Sequence, residues 1–273
     1  MKSHSKIIYG CSQGRLIKPY NGELQCFPKN KWIEEFELAQ KCGLNFIEFF
    51  IDEEHNTDNP IWSKNSLNKI NIFLNKYNLN PYSACISYII NNSIFDKKFI
   101  DKNVEYVIDV ISKLNLINIK LIILPLLNKS DLCLFDLITV KKILKIFVKE
   151  CRSFNMKIAI ESTAYSAELI NLLKSINDPN IGYVYDTGNR FEVEDPFLEI
   201  TALKEYIFHV HLKDIKDKQN VIIGNGNINF KKIISILNSI KYNGKYNFET
   251  NRGIDPFNTM KNNIRLIDEI IQN

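Results

Sequence analysis

Along the chain, short apolar runs rich in β-branched residues alternate with longer segments whose apolar residues return every three or four positions. The short runs read as strands: residues 6–12 (KIIYGCS), 46–51 (FIEFFI), 81–87 (PYSACIS), 119–125 (IKLIILP), 157–162 (KIAIES), 181–186 (IGYVYD), 207–213 (IFHVHLK) and 245–250 (KYNFET). The segments between and after them, residues 31–43, 63–78, 97–115, 135–154, 164–177, 196–206, 229–241 and 256–272, carry the helical period. In 135–154, for instance, Ile146 and Phe147 stand three and four positions after Ile143, with Ile138 apolar before them. Gly43 is placed to stop the first helix, and Pro196 and Pro256 to start two others.

Eight strand–helix repeats predict a (β/α)8 TIM barrel of the α/β class, formed as a single domain over residues 1–273. A doubly wound open sheet is the rival. It calls for a glycine-rich nucleotide loop after the first strand, and GCSQGRL (residues 10–16) does not match G-x-G-x-x-G. With no linker or low-complexity tract, one barrel accounts for the whole sequence.

Composition narrows the function without choosing it. A net charge of +4, spread without a block, offers no basic arm for nucleic acid. Residues 116–127 (LINIKLIILPLL) are apolar but too short and interrupted to span a bilayer, and residues 1–10 lack the apolar core of a signal peptide. The cysteines, Cys11, Cys26, Cys42, Cys85, Cys133 and Cys151, show no C-x-x-C spacing and read as reduced thiols. A cytoplasmic protein acting on a small molecule, with neither nucleic acid nor membrane as partner, is the expectation.

Barrel chemistry sits at the C-terminal ends of the strands. There the fifth to eighth strands end in Glu161, Asp186, His211 and Glu249. Charges at the ends of apolar strands are costly unless paired or bound to a cation. Three carboxylates and one imidazole therefore predict one divalent metal ion, Mn²⁺ or Mg²⁺ before Co²⁺ or Zn²⁺. The plainer alternative pairs Glu161 and Glu249 with Lys213 or Arg252 at a solvated rim. In HVHLKD (residues 209–214), His209 shares a strand face with His211, one layer deeper, as a core histidine or a substrate contact. Lys213 follows on that face toward substrate, while Asp214 points away and is placed to anchor a loop.

These motifs, with GLNFIEFFIDEE (43–54), IWSKN (61–65), DTGN (186–189), GNGNINF (224–230) and NFET (247–250) in this order, resemble the sugar-phosphate isomerase/epimerase family of xylose-isomerase-like barrels. Within that family the chain looks most like the L-ribulose-5-phosphate and L-xylulose-5-phosphate 3-epimerases. The resemblance implies a cytoplasmic sugar or sugar-phosphate epimerase or isomerase, working by proton transfer through a metal-stabilised enediolate. It implies Glu161, Asp186, His211 and Glu249 as ligands, with Glu161 and Glu249 also as the acid–base pair. It places Glu48 near the substrate, against a rim ion pair as the alternative, and implies a homodimer or homotetramer. Asn189 stands where free-ketohexose epimerases carry histidine, and Asp217 where they carry arginine, which favours a phosphorylated substrate. Arg15, Arg252 and the GNGNINF loop are then the candidates for holding the phosphate. Their plainer readings are a structural loop arginine for Arg15 and a turn capped by Asn229 for the loop. The stretch SQGRL (12–16) followed by NGELQCFPKNKW (21–32) is longer than that group leads one to expect and signals a divergent substrate. A dehydratase of the inosose or dehydroshikimate type, or a sugar-binding barrel without catalysis, remains compatible with the same residues.

Overall fold

The computed structural model describes residues 7–19 and 22–272. Residues 1–6, which include His4 and Lys6 of the first strand candidate, lie outside the described residues, as do Asn21 of the long insertion and Asn273. The barrel strands are β1 (Tyr9–Ser12), β2 (Phe46–Ile51), β3 (Ser83–Ile86), β4 (Leu121–Pro125), β5 (Lys157–Glu161), β6 (Ile181–Asp186) and β7 (Ile207–Leu212). After a small antiparallel hairpin, β8 (Asp214–Lys216) and β9 (Gln219–Val221), the last barrel strand is β10 (Lys245–Phe248). All eight barrel strands pair in parallel, and β10 closes the ring between β7 and β1. The predicted (β/α)8 barrel is therefore the fold.

The helices are α1 (Glu34–Cys42), α2 (Lys64–Lys76), α3 (Tyr88–Asn91), α4 (Ile100–Asn115), α5 (Leu137–Ser153), α6 (Ser166–Ile176), α7 (Pro196–Leu203), α8 (Phe230–Ser239) and α9 (Pro256–Gln272). Their boundaries follow local chemistry. Gly43 ends α1 in the left-handed region, and Pro196 follows Asp195, whose carboxylate accepts from Phe197 N and Leu198 N. Asp136 and Asn229 cap α5 and α8 by accepting from Thr139 N and Lys232 N. In α5, Val140, Ile143, Leu144, Phe147, Val148 and Cys151 are buried, but Ile138 is 81% exposed and Ile146 lies at the surface. Ile143 and Phe147 of the periodic set thus share the covered stripe with Val140, Leu144 and Val148, and Ile138 and Ile146 fall outside it.

Two features escaped the hydrophobic pattern. Helix α3 is only four residues long, and the β8–β9 hairpin carries no apolar alternation. The hairpin turn is made by Asp217 and Lys218, both with positive φ, the geometry of a two-residue turn matched to strand twist. Residues 116–127, apolar in sequence, run from the end of α4 through β4, and no helix among the described residues is long and apolar enough to cross a membrane. All six cysteines are free thiols.

The main core lies between the barrel and its helices. A second apolar cluster of Leu121, Ile123, Ala159 and Val184 fills the barrel interior. Ala159 and Val184 precede Glu161 and Asp186 by two residues on the same strand faces, so this apolar layer lies directly beneath the strand-end carboxylates. A register shift between β6 and β7 at Tyr183/Val184 sets Asp186 opposite His211.

Candidate functional site

The four strand ends converge. Among the described residues, Glu161, Asp186, His211 and Glu249 each offer one oxygen or ring nitrogen, and these atoms all lie within 4.8 Å of one another. His211 is fully buried, and its Nδ1 faces Glu249 Oε2 at 2.9 Å, Asp186 Oδ2 at 3.7 Å and Glu161 Oε2 at 3.8 Å. The DTGN turn explains how Asp186 is aimed. Its Oδ1 accepts from Gly188 N at 2.8 Å and Asn189 N at 2.7 Å, which leaves Oδ2 for the centre of the cluster. Asn189 then reaches across to donate from Nδ2 to Glu161 Oε1 at 2.5 Å. A side chain at position 188 could not sit there, since a Cβ would meet Lys213 Cδ and Cγ at 2.7 Å.

Lys213 Nζ lies 2.9 Å from Asp186 Oδ2 and 3.1 Å from Glu249 Oε1. The rim pairing weighed for Glu249 with Lys213 therefore exists, whereas Arg252 turns elsewhere. One ammonium does not balance three carboxylates, and Arg15 reaches only Glu249, at 3.8 Å. The electrostatics show the strain. Burial, with the Asp186 carboxylate beside it, pushes the Glu161 carboxyl above its usual range. Burial opposes ionisation of Glu249 as well, but Lys213 and His211 outweigh it and hold that group low. For His211, burial disfavours the charged ring, yet Glu48, Asp186 and Glu249 outweigh it and raise the pKa well above 6.5.

Glu48 on β2 orders the layer below. Its Oε2 accepts from Ser83 Oγ at 2.8 Å and meets His209 Nε2 at 3.1 Å, and its Oε1 accepts from Asn247 Nδ2 at 3.1 Å. His211 Nε2 faces Oε1 at 3.1 Å. Burial works against the Glu48 charge, but His211 and His209 prevail and hold its pKa at about 2. Glu48 is thus an interior carboxylate rather than a rim ion pair. His209 is fully buried among the rings of Phe46, Tyr82 and His211, away from the cavity, as a core histidine; burial, the largest influence on it, lowers its pKa.

Two sets of metal-type side chains share His211: Glu48 with His209, and the three strand-end carboxylates. The carboxylates differ in their partners. Glu48 is hydrogen-bonded on both oxygens by Ser83 and Asn247, whereas Asp186 Oδ2 and His211 Nδ1 meet only charged groups of the cluster, Lys213 Nζ and Glu249 Oε2, at 2.9 Å each. Three buried carboxylates crowded around one imidazole, with a single ammonium among them, are an oxygen-rich donor set that fits a hard divalent cation. A carboxylate behind the imidazole, as Glu48 stands behind His211, is the usual support for a ligating histidine.

Above the cluster opens a cavity of about 160 Å³. Of the predicted site residues, Glu48, Glu161, Asn189, Lys213 and Glu249 line it. Ser12, Gln25, Phe49, Phe50, Cys85, Ser87, Ile90, Pro125 and Leu127 complete the wall, and the strand-end reading found none of these. The signal for Ser12, Cys85, Ser87 and Pro125 was their place at the ends of β1, β3 and β4, where only ionisable groups had been sought. Gln25 lies in the long insertion, where no periodicity guides the eye.

The three candidates for an anion site are all occupied by the protein itself. The GNGNINF loop spends its N–H groups on Asp214, which accepts from Gly224 N at 2.9 Å, Gly226 N at 2.9 Å and Ile228 N at 3.2 Å. Asp214 is the loop anchor, and the loop is a turn ending in the Asn229 cap. Arg252 donates to Gly14 O and to Glu23 O, at 2.5 and 2.8 Å. Arg15, 2% exposed, donates to Leu24 O and Gln25 Oε1. Asp217, at the position compared with an arginine, sits at the hairpin turn. Gln13 is buried at the start of the first loop and accepts from Phe50 N at 3.2 Å.

A family model described as "Xylose isomerase-like TIM barrel" matches residues 36–270. The chain is 30% identical to the inosose dehydratase of Clostridium tetani over 35% of its own length and 41% of that relative's. It spans less than half the length of the curated relatives it matches. Among solved structures, D-psicose 3-epimerase from Clostridium cellulolyticum H10, with D-tagatose, superposes with a TM-score of 0.79 at 12% identity, over 97% of this chain and 99% of that one. The IOLI protein with a zinc atom gives 0.75 at 15% identity, over 97% and 98%. At these identities the structural likeness speaks for the fold alone.

Proposed function

The chain belongs to the xylose isomerase-like TIM barrel family, and from that premise we propose that it is a divalent-metal-dependent epimerase acting on a compact polyhydroxy ketone. The observation that carries this reading is the convergence of Glu161, Asp186, His211 and Glu249 within 4.8 Å at the floor of a small cavity. Those four residues would hold the metal ion, which supplies Lewis acidity to offset negative charge developing on the substrate's oxygens.

The protein's own groups do the rest. A proton on carbon next to a ketone is removed by one glutamate of the Glu161/Glu249 pair and returned to the opposite face by the other, which inverts that centre. Asn189 orients Glu161 through the amide, and Lys213 and Arg15 flank Glu249. Lys213 also offers an ammonium to a substrate hydroxyl. Burial of the cluster on an apolar layer strengthens each of these charges relative to water.

The cavity's size supports a single small sugar or cyclitol, since about 160 Å³ falls below the roughly 300–1,000 Å³ of sites for drug-sized ligands. An unphosphorylated substrate is favoured over the phosphorylated one that Asn189 suggests, because Arg15 and Arg252 are committed to backbone carbonyls and to Gln25, and the GNGNINF loop to Asp214. The sequence match to an inosose dehydratase supports a second reading, in which a β-hydroxyl leaves after proton removal.

Solvent exchange tests the proposal. The protein, loaded with Mn²⁺ for activity and with Mg²⁺ for NMR, is incubated in D₂O with free ketoses, ketose phosphates and inosose. Deuterium beside the ketone together with a new epimer is the expected result. Label with loss of water moves the reaction to dehydration. No label in any substrate by the metal-loaded protein overturns the proton-transfer reading.

A further inference from the structure

The connection between β1 and α1, residues 13–33, is long for a barrel loop, and its described residues carry no regular element beyond one 3₁₀ turn, Lys29–Lys31. Loops of that length earn their order from specific contacts. Here the buried Glu35 carboxylate accepts from Gly14 N at 2.7 and 2.9 Å and from Leu16 N at 3.3 Å. Arg252, arriving from the other side after β10, grips Gly14 O and Glu23 O. Arg15, inside the loop, donates to Leu24 O and to Gln25 Oε1. The near and far arms of the loop are thereby tied to each other and to the barrel, and the tie ends on Gln25, which lines the cavity together with Glu48, Glu161, Lys213 and Glu249.

The orientation of this amide follows from chemistry. A guanidinium has only donors, so the group of Gln25 that meets Arg15 must be its oxygen. The NH₂ end is then the part of the side chain left to recognise a ligand, and it can only donate. The same guanidinium lies 3.8 Å from Glu249 Oε1, so one cation is shared by a proposed proton-transfer carboxylate and the amide beside it.

We infer that Gln25 is a specificity-determining residue of this site, donating its amide N–H groups to a carbonyl or hydroxyl oxygen of the bound ketone, and that Arg15 is the positioning residue that fixes the amide. The inference rests on reading the cavity as a polyhydroxy-ketone site and adds a residue to it. It assigns the long insertion a role in choosing the substrate, and it makes Arg15 act through Gln25 instead of through a substrate anion.

The test uses the full chain loaded with Mn²⁺ and titrated by calorimetry with D-fructose, D-tagatose, L-ribulose, L-ribulose 5-phosphate and 2-keto-myo-inositol. Gln25→Glu keeps the shape and an oxygen for Arg15 but removes both donors; Gln25→Ala removes the side chain. For the probe that wild type binds most tightly, both variants are expected to raise Kd at least tenfold while Mn²⁺ affinity stays within twofold. On any probe that turns over, KM rises and kcat holds within about threefold. Arg15→Lys is expected to raise Kd in the wild-type background and to add nothing further in the Gln25→Ala background, as coupled residues do. Should Gln25→Ala fail to fold, Gln25→Glu carries the comparison alone. Unchanged Kd in Gln25→Glu, with wild type binding a probe, overturns the assignment of Gln25 and leaves the proposed function standing. Additive effects of Arg15→Lys and Gln25→Ala overturn the positioning role of Arg15. A wild-type protein that holds Mn²⁺ but binds none of the probes overturns the proposed function, and this assignment with it.

Discussion

The two halves of the barrel rim are built differently. On β5, β6, β7 and β10 the candidate chemistry stands on the strands themselves: Glu161, Asp186 and His211 lie within their strands, and Glu249 follows β10 directly. On the side of β1 to β4, apart from Glu48, the cavity wall comes from small and apolar strand-end groups such as Ser12, Phe50, Cys85 and Pro125, from loops that carry Gln25, Ser87 and Leu127, and from Ile90 of the short helix α3. The difference teaches where precision and variation are kept. Strand ends, fixed by ladder hydrogen bonds on both sides, hold reacting groups to a fraction of an ångström. Loops must be stitched down one by one, as Glu35, Arg15 and Arg252 do for residues 13–33.

The largest effect that would sharpen this contrast lies on the strand half. Glu161→Gln and Glu249→Gln are expected to lower deuterium exchange beside the ketone by about 10³-fold, near 4 kcal/mol of barrier, whereas Ser87→Ala across the cavity lowers it by less than about tenfold. NMR rates for the three variants decide it. Comparable losses in all three would erase the distinction between the halves.

The loop half has its own electrostatic signature. Burial, partly offset by the Gly14 and Leu16 N–H groups, raises the Glu35 pKa from 4.5 to about 7. A carboxyl that holds its proton more tightly when folded stabilises the protein fully below its unfolded pKa. That contribution is lost as pH climbs through the folded value. Between about pH 4.5 and 8 this amounts to roughly 3 kcal/mol for Glu35. Urea unfolding of wild type and Glu35→Gln across that range should show wild type losing ground by this amount. A difference that stays flat with pH would mean that Glu35 keeps an ordinary pKa under the loop.

Glu48 bridges the halves, since it rises from β2 but faces His211. Glu48→Gln is expected to weaken Mn²⁺ binding about 10- to 100-fold without abolishing it, the usual cost of losing the group behind a ligating histidine. Equilibrium dialysis measures this, and unchanged affinity would detach Glu48 from the metal site. At the small end, Ile138→Ser, on the exposed face of α5, should change stability by less than about 0.5 kcal/mol in thermal unfolding.

The same contrast explains what the sequence disclosed. The four converging side chains were legible because an ionisable residue ending an apolar strand is improbable without a partner, and four in succession point to a shared one. The barrel followed from eight strand–helix repeats, and Asp214 as an anchor followed from its facing away from His211. Arg15, Arg252 and the GNGNINF loop were legible only as polar groups near a site. Whether their donors serve a ligand or the backbone depends on where Glu23, Leu24 and Asp214 come to rest, and no local spacing encodes that. The covered face of α5 has a similar origin. Ile143 and Phe147, four positions apart, are both buried, while Ile138 and Ile146 of the same helix are exposed, and the barrel surface beneath determines which stripe is covered.

The central claim is that Glu161, Asp186, His211 and Glu249 form one divalent-metal site. A crystal structure of the Mn²⁺-loaded protein, with anomalous scattering collected at the manganese edge, tests it most directly. The account predicts one anomalous peak per chain, bounded by those four side chains and contacting His211 through Nδ1. A peak between Glu48, His209 and His211 instead, or no peak at saturating Mn²⁺, would contradict it.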